Sequence, residues 1–557
     1  MVPIAKTPPD IYHEDEARGE LTRWTALLKE FKKVHGGHSP DFIARSPGRV
    51  NIIGEHIDYS LFPVLPMAIH ADTLVAVRVP AWKEKKPKGE GEFTITIANF
   101  DSEKFPQETF TFPNDSDIPI DAATHAWTNY FKAGLRGAYE FLRKKSWKEF
   151  EPRDMEVLVY GTVPPAGGLS SSAAIVTASA LAVLYAHGHT DVNKIDLTRM
   201  AIESERAVGV NSGGMDQAAS VMSKMGSALY VEFAPSLSVS QVKFPDKYPR
   251  CVFMIAQSFV KADKKVSGPF HYNLRVVECT LAALVLLRFL YNKHFPEEPF
   301  PDPLGQDDSP LNLSLGTVFR KFWAQLSIQG KNLEDVPQGE RVNEIARLEY
   351  FIDKVLPEAF PNQAYSKEEI AAIHGVDVAY LDDNYIKKRF SVTAEKFRLR
   401  DRAKHVFTET LRVHEFMELL KNGIDEKTTP DKLNLQLGDL MNQSQISCRD
   451  DFDCSTPDLD LICMHARNAG SYGSRLTGAG WGGATVHLVP ETKVDAVRSI
   501  LEDQYYKNLR VDNKALTAEQ TRDAVIVSRP GSGSTVFPLD PRADYIGHWS
   551  TLARSTD

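Results

Sequence analysis

Short apolar, β-branched runs recur through the first half of the chain, at residues 74–79, 93–98, 155–160 and 252–256. Turn residues bound each run and helically spaced stretches separate them, which predicts strands alternating with helices in an α+β or α/β arrangement. The second half reads differently. Residues 317–325, 341–355 and 390–420 are charged and carry apolar positions at helical spacing, and a glycine-rich region then leads to strands expected at 485–489 and 524–528. Between the halves, residues 295–311 (FPEEPFPDPLGQDDSPL) hold many prolines and little to bury, so an exposed loop or insertion is expected there. A domain boundary is expected within residues 225–245, where a strand mixes with turn residues.

Residues 158–188 (LVYGTVPPAGGLSSSAAIVTASALAVLYAHG) carry the most chemistry. A strand leads to Pro164-Pro165, Gly167 and Gly168 allow a sharp backbone path, and Ser170, Ser171 and Ser172 open a small-residue helix closed by Gly188. The first N–H groups of such a helix are unpaired and partly positive, which suits a phosphate. An ordinary strand, turn and serine-capped helix has the same outline, although capping needs only one serine. The loop is not a Walker A motif, since no GxxxxGKS or GxxxxGKT is present.

Further along, Leu197, Met200, Ala201, Ser204, Glu205 and Val208 share one helical face, so Glu205 points with apolar residues. A carboxylate so placed needs either a basic partner or a cation such as Mg²⁺. Asp216 falls in the first turn of a helix after Gly213-Gly214, as a dipole-stabilising or a catalytic carboxylate. In residues 44–59 (ARSPGRVNIIGEHIDY) a strand expected at 50–53 enters a turn at Gly54 that crowds Glu55, His56 and Asp58 behind Arg49. Such a set suits a small polyhydroxylated ligand, with a metal site or a solvated loop as alternatives.

Composition narrows the classes. The 557 residues are enough for more than one domain, and 65 Lys+Arg against 74 Asp+Glu give a net charge of −9 without any basic run. Nucleic acid is therefore not an expected partner. The first twenty residues lack a signal peptide's basic and apolar regions, and the most apolar stretches, 173–185 and 281–287, fall short of the roughly 18 residues a membrane helix needs. Five cysteines without a CxxC pair read as reduced, cytosolic and structural.

With these segments together, the chain resembles the galactokinase branch of the GHMP small-molecule kinases. GRVNIIGEHIDY is similar to the sugar signature, PPAGGLSSSAA to the phosphate loop, and SRLTGAGWGGATVHL at residues 474–488 to the third motif, in family order. HYNLRVVEC and MNQSQISCRDDFDCSTPDLD resemble the longer fungal members; Gln445 stands where many bacterial and animal members have histidine. The resemblance implies a two-domain α+β fold: a ribosomal-protein-S5-like N-terminal domain (1–235) and a ferredoxin-like C-terminal domain (236–557) with a helical insertion at about 292–430. The active site is expected in the cleft between them. It implies ATP and Mg²⁺, and phosphorylation of α-D-galactose at its C1 hydroxyl, the first committed step of galactose catabolism. By the same resemblance Asp216 is the base or orienting charge and Arg49 the cation facing it. Glu55, His56, Asp58, Gly213 and Tyr272 hold the sugar. Gly167, Gly168, Leu169, Ser170, Ser171 and Ser172 cradle the ATP phosphates, Trp127 and Tyr130 line the adenine pocket, and Ser172 and Glu205 ligate Mg²⁺. A cytoplasmic monomer is expected. The alternatives are a galactose and ATP sensor acting on a regulatory protein partner, against which the undeleted GLSSSAA speaks, an enzyme that is also such a regulator, and an N-acetylgalactosamine kinase, which shares GEHIDY.

Overall fold

Strand β1 (Phe42–Ile53) is buried along all twelve of its residues, a pattern that requires cover on both faces of its sheet. In the computed structural model the cover is there. Ile43, Leu74, Ala76 and Leu158 pack under Trp24, Leu27 and Phe31 of the N-terminal helix Glu14–Val34, while Ala44, Val50 and Val75 meet Ala174, Ala178 and Leu181 of the helix Ser171–Ala186. The structure describes residues 1–557 apart from 81–90, 122–123, 125, 146–149, 166, 209–212, 245–248, 261–267, 331–342, 389–391, 424–428 and 555–557.

The six-stranded N-terminal sheet has the order β14-β1-β2-β5-β3-β4, built from β1, β2 (Leu65–Arg78), β3 (Glu92–Asn99), β4 (Glu108–Pro113), β5 (Met155–Gly161) and β14 (Thr535–Pro538). All pairs are antiparallel except β3 with β5. A separate hairpin joins β6 (Ser227–Glu232) to β7 (Ser238–Lys243). The second sheet has the order β13-β8-β10-β9, with β8 (Cys251–Gln257), β9 (Gly473–Thr477), β10 (Ala484–Pro490) and β13 (Val525–Ser528). Taken in chain order these four strands lie 4-1-3-2, the ferredoxin-like arrangement. Helices Pro457–Asn468 and Val494–Gln504 cover one face through Ile462, Ala466, Val497 and Leu501. A two-residue hairpin, β11 (Arg510–Val511) with β12 (Lys514–Ala515), lies between.

Two features differ from the expected division at 235/236. That point falls in the turn of the β6–β7 hairpin, whose ladder pairs as one unit. The chain also returns at its end: Phe42 through Arg45 of β1 pair with β14, and Trp549 of the helix Tyr545–Arg554 packs on Trp24. Residues 535–554 therefore complete the first sheet, because β1 would otherwise present an open edge of unpaired backbone groups.

Between β8 and β9 the expected insertion supplies helices Leu315–Ile328 and Leu399–Asn422, joined around Phe319, Phe322, Phe351 and Phe407, and helices Tyr272–His294 and Pro430–Asp450 flank it. The helix expected from 390 begins at Leu399, since Phe397 is drawn into a bridge with Tyr365 and the Arg398 N–H donates to Glu278; 389–391 lie outside the described residues. The proline-rich stretch is irregular as expected, yet it is pinned by the buried Phe295, Ser309 and Leu311. Among the described residues no helix is long and apolar enough to cross a membrane, and all five cysteines are free.

Candidate active site

The glycine-serine loop turns from β5 into its helix through two left-handed residues, Gly168 (φ +71°) and Ser170 (φ +60°). Ser170 precedes the helix without capping it, and its buried hydroxyl has no partner among the described residues. The helix N–H groups of this first turn are therefore left for a ligand. The third glycine motif, from the other domain, lies against the loop backbone to backbone. A Cβ on Gly168 would stand 2.8 Å from the Thr477 carbonyl oxygen, and one on Gly478 would stand 2.5 Å from that of Gly168. Only glycine permits this approach on either side.

In the first turn of the helix, the Ser172 hydroxyl donates to Glu205 Oε1 at 2.6 Å, and the Gln217 amide donates to Oε2. Glu205 is buried, as its helical face predicted. Ser172 and Glu205 are hard oxygen donors of the kind Mg²⁺ takes together with phosphate and water. Among the described residues no group of three or more His, Cys, Asp or Glu side chains could hold a metal.

Arg49 ties this loop to the carboxylates. Its Nη1 donates to the Gly168 carbonyl at 2.6 Å, while Nε and Nη2 reach Asp216 Oδ1 at 2.7 and 2.6 Å. Asp216 sits in the first turn of the helix Met215–Met222, with its side chain only partly exposed. Asp58 lies beside it. Burial, reinforced by the charge of Asp216, pushes the Asp58 carboxyl up to about 6, although it accepts the N–H groups of Tyr59 and Met215. A Cβ on Gly213 would lie 2.5 Å from Asp58 Oδ2, so the glycine is what lets the two chain segments meet.

The rest of the signature turn is enclosed. Glu55 Oε2 accepts from Arg475 Nη2 and from the Gly478 N–H, both at 3.0 Å, and burial pushes its carboxyl up to about 7 against the pull of Arg475 and Arg49. His56 Nε2 donates to the Ala479 carbonyl at 2.9 Å, which can only accept, so Nδ1 accepts from the Tyr59 hydroxyl at 3.1 Å. Burial holds this ring neutral, down to about 3. For His56 to reach a sugar hydroxyl, one nitrogen must exchange its partner. Tyr272 packs on His56 and Tyr59, and burial together with Asp58 and Asp216 raises its hydroxyl well above the usual value. Of the aromatic pair, Tyr130 lies with Ala133 and Val176 near Glu205, which with burial raises its pKa, whereas the Trp127 indole donates to the Pro106 carbonyl at 3.1 Å beside Phe105.

Sequence reasoning missed three supports. Arg475, within the third motif, also donates to the Asn51 carbonyl at 2.9 Å. Glu409 Oε1 accepts the N–H groups of Gly54 and Glu55 at 2.9 and 3.0 Å, and His405 Nε2 meets the Glu55 carbonyl at 3.0 Å. A charged residue within the helical pattern gives no sign in sequence of what lies opposite it. Gln445 is explained as well: its amide donates to Ser455 and Asp460 and its oxygen accepts the Leu476 N–H at 2.7 Å, pinning β9.

Three family models match this chain: a galactokinase galactose-binding signature over residues 29–79, the GHMP kinases N terminal domain over 129–224, and the GHMP kinases C terminal over 432–507. A galactokinase from Saccharomyces cerevisiae is 39% identical over 527 residues, 92% of this chain and 94% of that protein. One from Candida parapsilosis is 37% identical over 531 residues, 95% of this chain and 97% of that protein. The crystal structure of Lactococcus lactis galactokinase complexed with galactose shares the fold at a TM-score of 0.59 and 22% identity, covering 92% of this chain and 99% of that one.

Proposed function

Since the chain belongs to the galactokinase family of the GHMP kinases, we propose that it transfers the γ-phosphoryl group of ATP to the C1 hydroxyl of α-D-galactose, yielding galactose 1-phosphate and ADP. The observation that carries this reading is Arg49, which joins the phosphate loop at Gly168 to Asp216 and so brings the two substrates' sites to one point.

In this reading the phosphates lie on the open first turn of the Ser171–Ala186 helix, where the N–H groups and the Ser170 hydroxyl can donate. Ser172 and Glu205 hold Mg²⁺, which neutralises phosphate charge when bound. Asp58, Gly213, Glu55 and Tyr272 bound the sugar, with His56 behind them. Asp216 accepts the C1 hydroxyl's hydrogen bond and takes or steers its proton as the oxygen meets phosphorus. Arg49 holds Asp216 in place and faces the charge developing on the phosphoryl oxygens. Tyr130 and Trp127 belong to the adenine side. Five free cysteines support a reducing, cytoplasmic setting, and the enzyme acts as a monomer.

The test is coupled ATP turnover with Mg²⁺, comparing D-galactose, N-acetylgalactosamine and D-glucose. Turnover on galactose, lost on chelation and restored by Mg²⁺, is expected. Turnover on N-acetylgalactosamine alone would move the substrate. No turnover with both ligands bound would leave a sensor built on a kinase fold.

A further inference from the structure

The strand ladder of β1 ends at Ile53, and Gly54 turns away at φ +101°, leaving the Gly54 and Glu55 N–H groups buried without sheet partners. The helix Leu399–Asn422 answers this with two side chains one turn apart. Glu409 Oε1 takes both N–H groups and His405 Nε2 donates to the Glu55 carbonyl, so both backbone polar groups of Glu55 are held by one helical face. The grip has its own support. The Ser444 hydroxyl donates to Glu409 Oε1 at 2.8 Å, Ser447 pairs with His405 Nδ1 at 2.9 Å, and Arg412 faces Glu409 Oε2 at 2.8 Å. The serines are three residues apart on the helix Pro430–Asp450. Burial pushes the Glu409 carboxyl up, but Arg412, Arg475 and His405 outweigh it and hold it below the usual carboxylate range. An ionised acceptor makes charge-assisted bonds to the two N–H groups, about twice as strong as neutral ones.

We infer that Glu409 and His405 are positioning residues for the sugar: the helical insertion fixes the backbone of Glu55, and through it the placement of the Glu55, His56 and Asp58 side chains. This rests on the galactose reading above. Glu409 and His405 reach the phosphate side only through Glu55, whose carboxylate accepts the Gly478 N–H, while the contacts of Gly168 with Arg49 and Thr477 do not involve them. Loosening the grip should therefore act first on the sugar and much less on the nucleotide.

The experiment measures KM for galactose and for ATP, kcat and melting temperature in Glu409→Ala, Glu409→Gln and His405→Ala. Glu409→Ala and His405→Ala should each raise the galactose KM about tenfold or more while the ATP KM stays within about twofold. Glu409→Gln keeps an acceptor oxygen for the N–H pair and should return the galactose KM to within about threefold of the unmodified protein, even though loss of charge opposite Arg412 lowers its melting temperature. If Glu409→Ala does not fold, His405→Ala and Glu409→Gln carry the same comparison. An unchanged galactose KM in the variants, or galactose and ATP KM rising together, would overturn the inference while the functional reading stands. An unmodified protein that does not turn over galactose would remove both.

Discussion

On the functional reading proposed above, the phosphate side and the sugar side of the site are held by different means. On the phosphate side the recognising groups are backbone: a left-handed turn, the free N–H groups of one helix, and a second glycine segment pressed against the first. On the sugar side they are side chains, and each has a partner far away in sequence: Arg475 on Glu55, Glu409 and His405 on its backbone, and Ala479 on His56. A phosphate can be met by main-chain dipoles that any short segment supplies. A sugar is told from its isomers by side-chain groups at set positions, and such positions need rigid support from behind.

The sharpest break in this comparison is at the point where the sides meet. Asp216→Ala should lower kcat by roughly three orders of magnitude or more while galactose and ATP still bind, as read by steady-state kinetics and calorimetry. Near-normal turnover would remove Asp216 from the reacting atoms. Next comes Gly168→Ala, which forces a side chain onto a left-handed residue (φ +71°) and to within 2.8 Å of the Thr477 carbonyl oxygen. A left-handed conformation alone costs about 1–2 kcal/mol without glycine, so the ATP KM should rise tenfold or more, on the order of that cost. The galactose KM should move less. Gly213→Ala is the mirror experiment: its Cβ would sit 2.5 Å from Asp58 Oδ2, and the galactose KM should rise about tenfold with the ATP KM near its starting value. Equal shifts in both constants for either glycine would mean that the sides are not separable.

The smallest effect is one of pH. Burial pushes His56 and His487 down to about 3, and His187, His374, His405 and His414 down to about 4. Unfolded histidine binds its proton near 6.5, so below that pH the unfolded chain holds more protons than the fold, and stability present above 6.5 is lost as pH falls toward 4. Glu55 and Asp58, pushed up to about 7 and about 6, work in the opposite sense, lending stability in acid that is lost as pH rises through those values. Six histidines outweigh two carboxyls, and the melting temperature should be lower at pH 5 than at pH 7. Glu55→Gln removes part of the opposing contribution and should steepen the fall.

What could be read from the chain alone follows from locality. The turn at Gly167 and Gly168, the serines at the head of a small-residue helix, Glu205 on an apolar helical face and Asp216 in a first turn are each fixed by residues within one or two turns of one another, so spacing carries them. The strands at 252–256 and 485–489 were legible for the same reason, since alternation and turn residues are local signals. Only the tertiary structure decided that β14 closes the first sheet after more than five hundred residues, that the insertion's helix reaches back to Gly54 and Glu55, and that Gln445 pins β9. The first two join residues hundreds of positions apart, and the third joins a helix to a strand 31 positions on. A glutamate that will hold a buried turn and one that will face water look alike along a helix, because the burial that distinguishes them comes from the segments that pack against it.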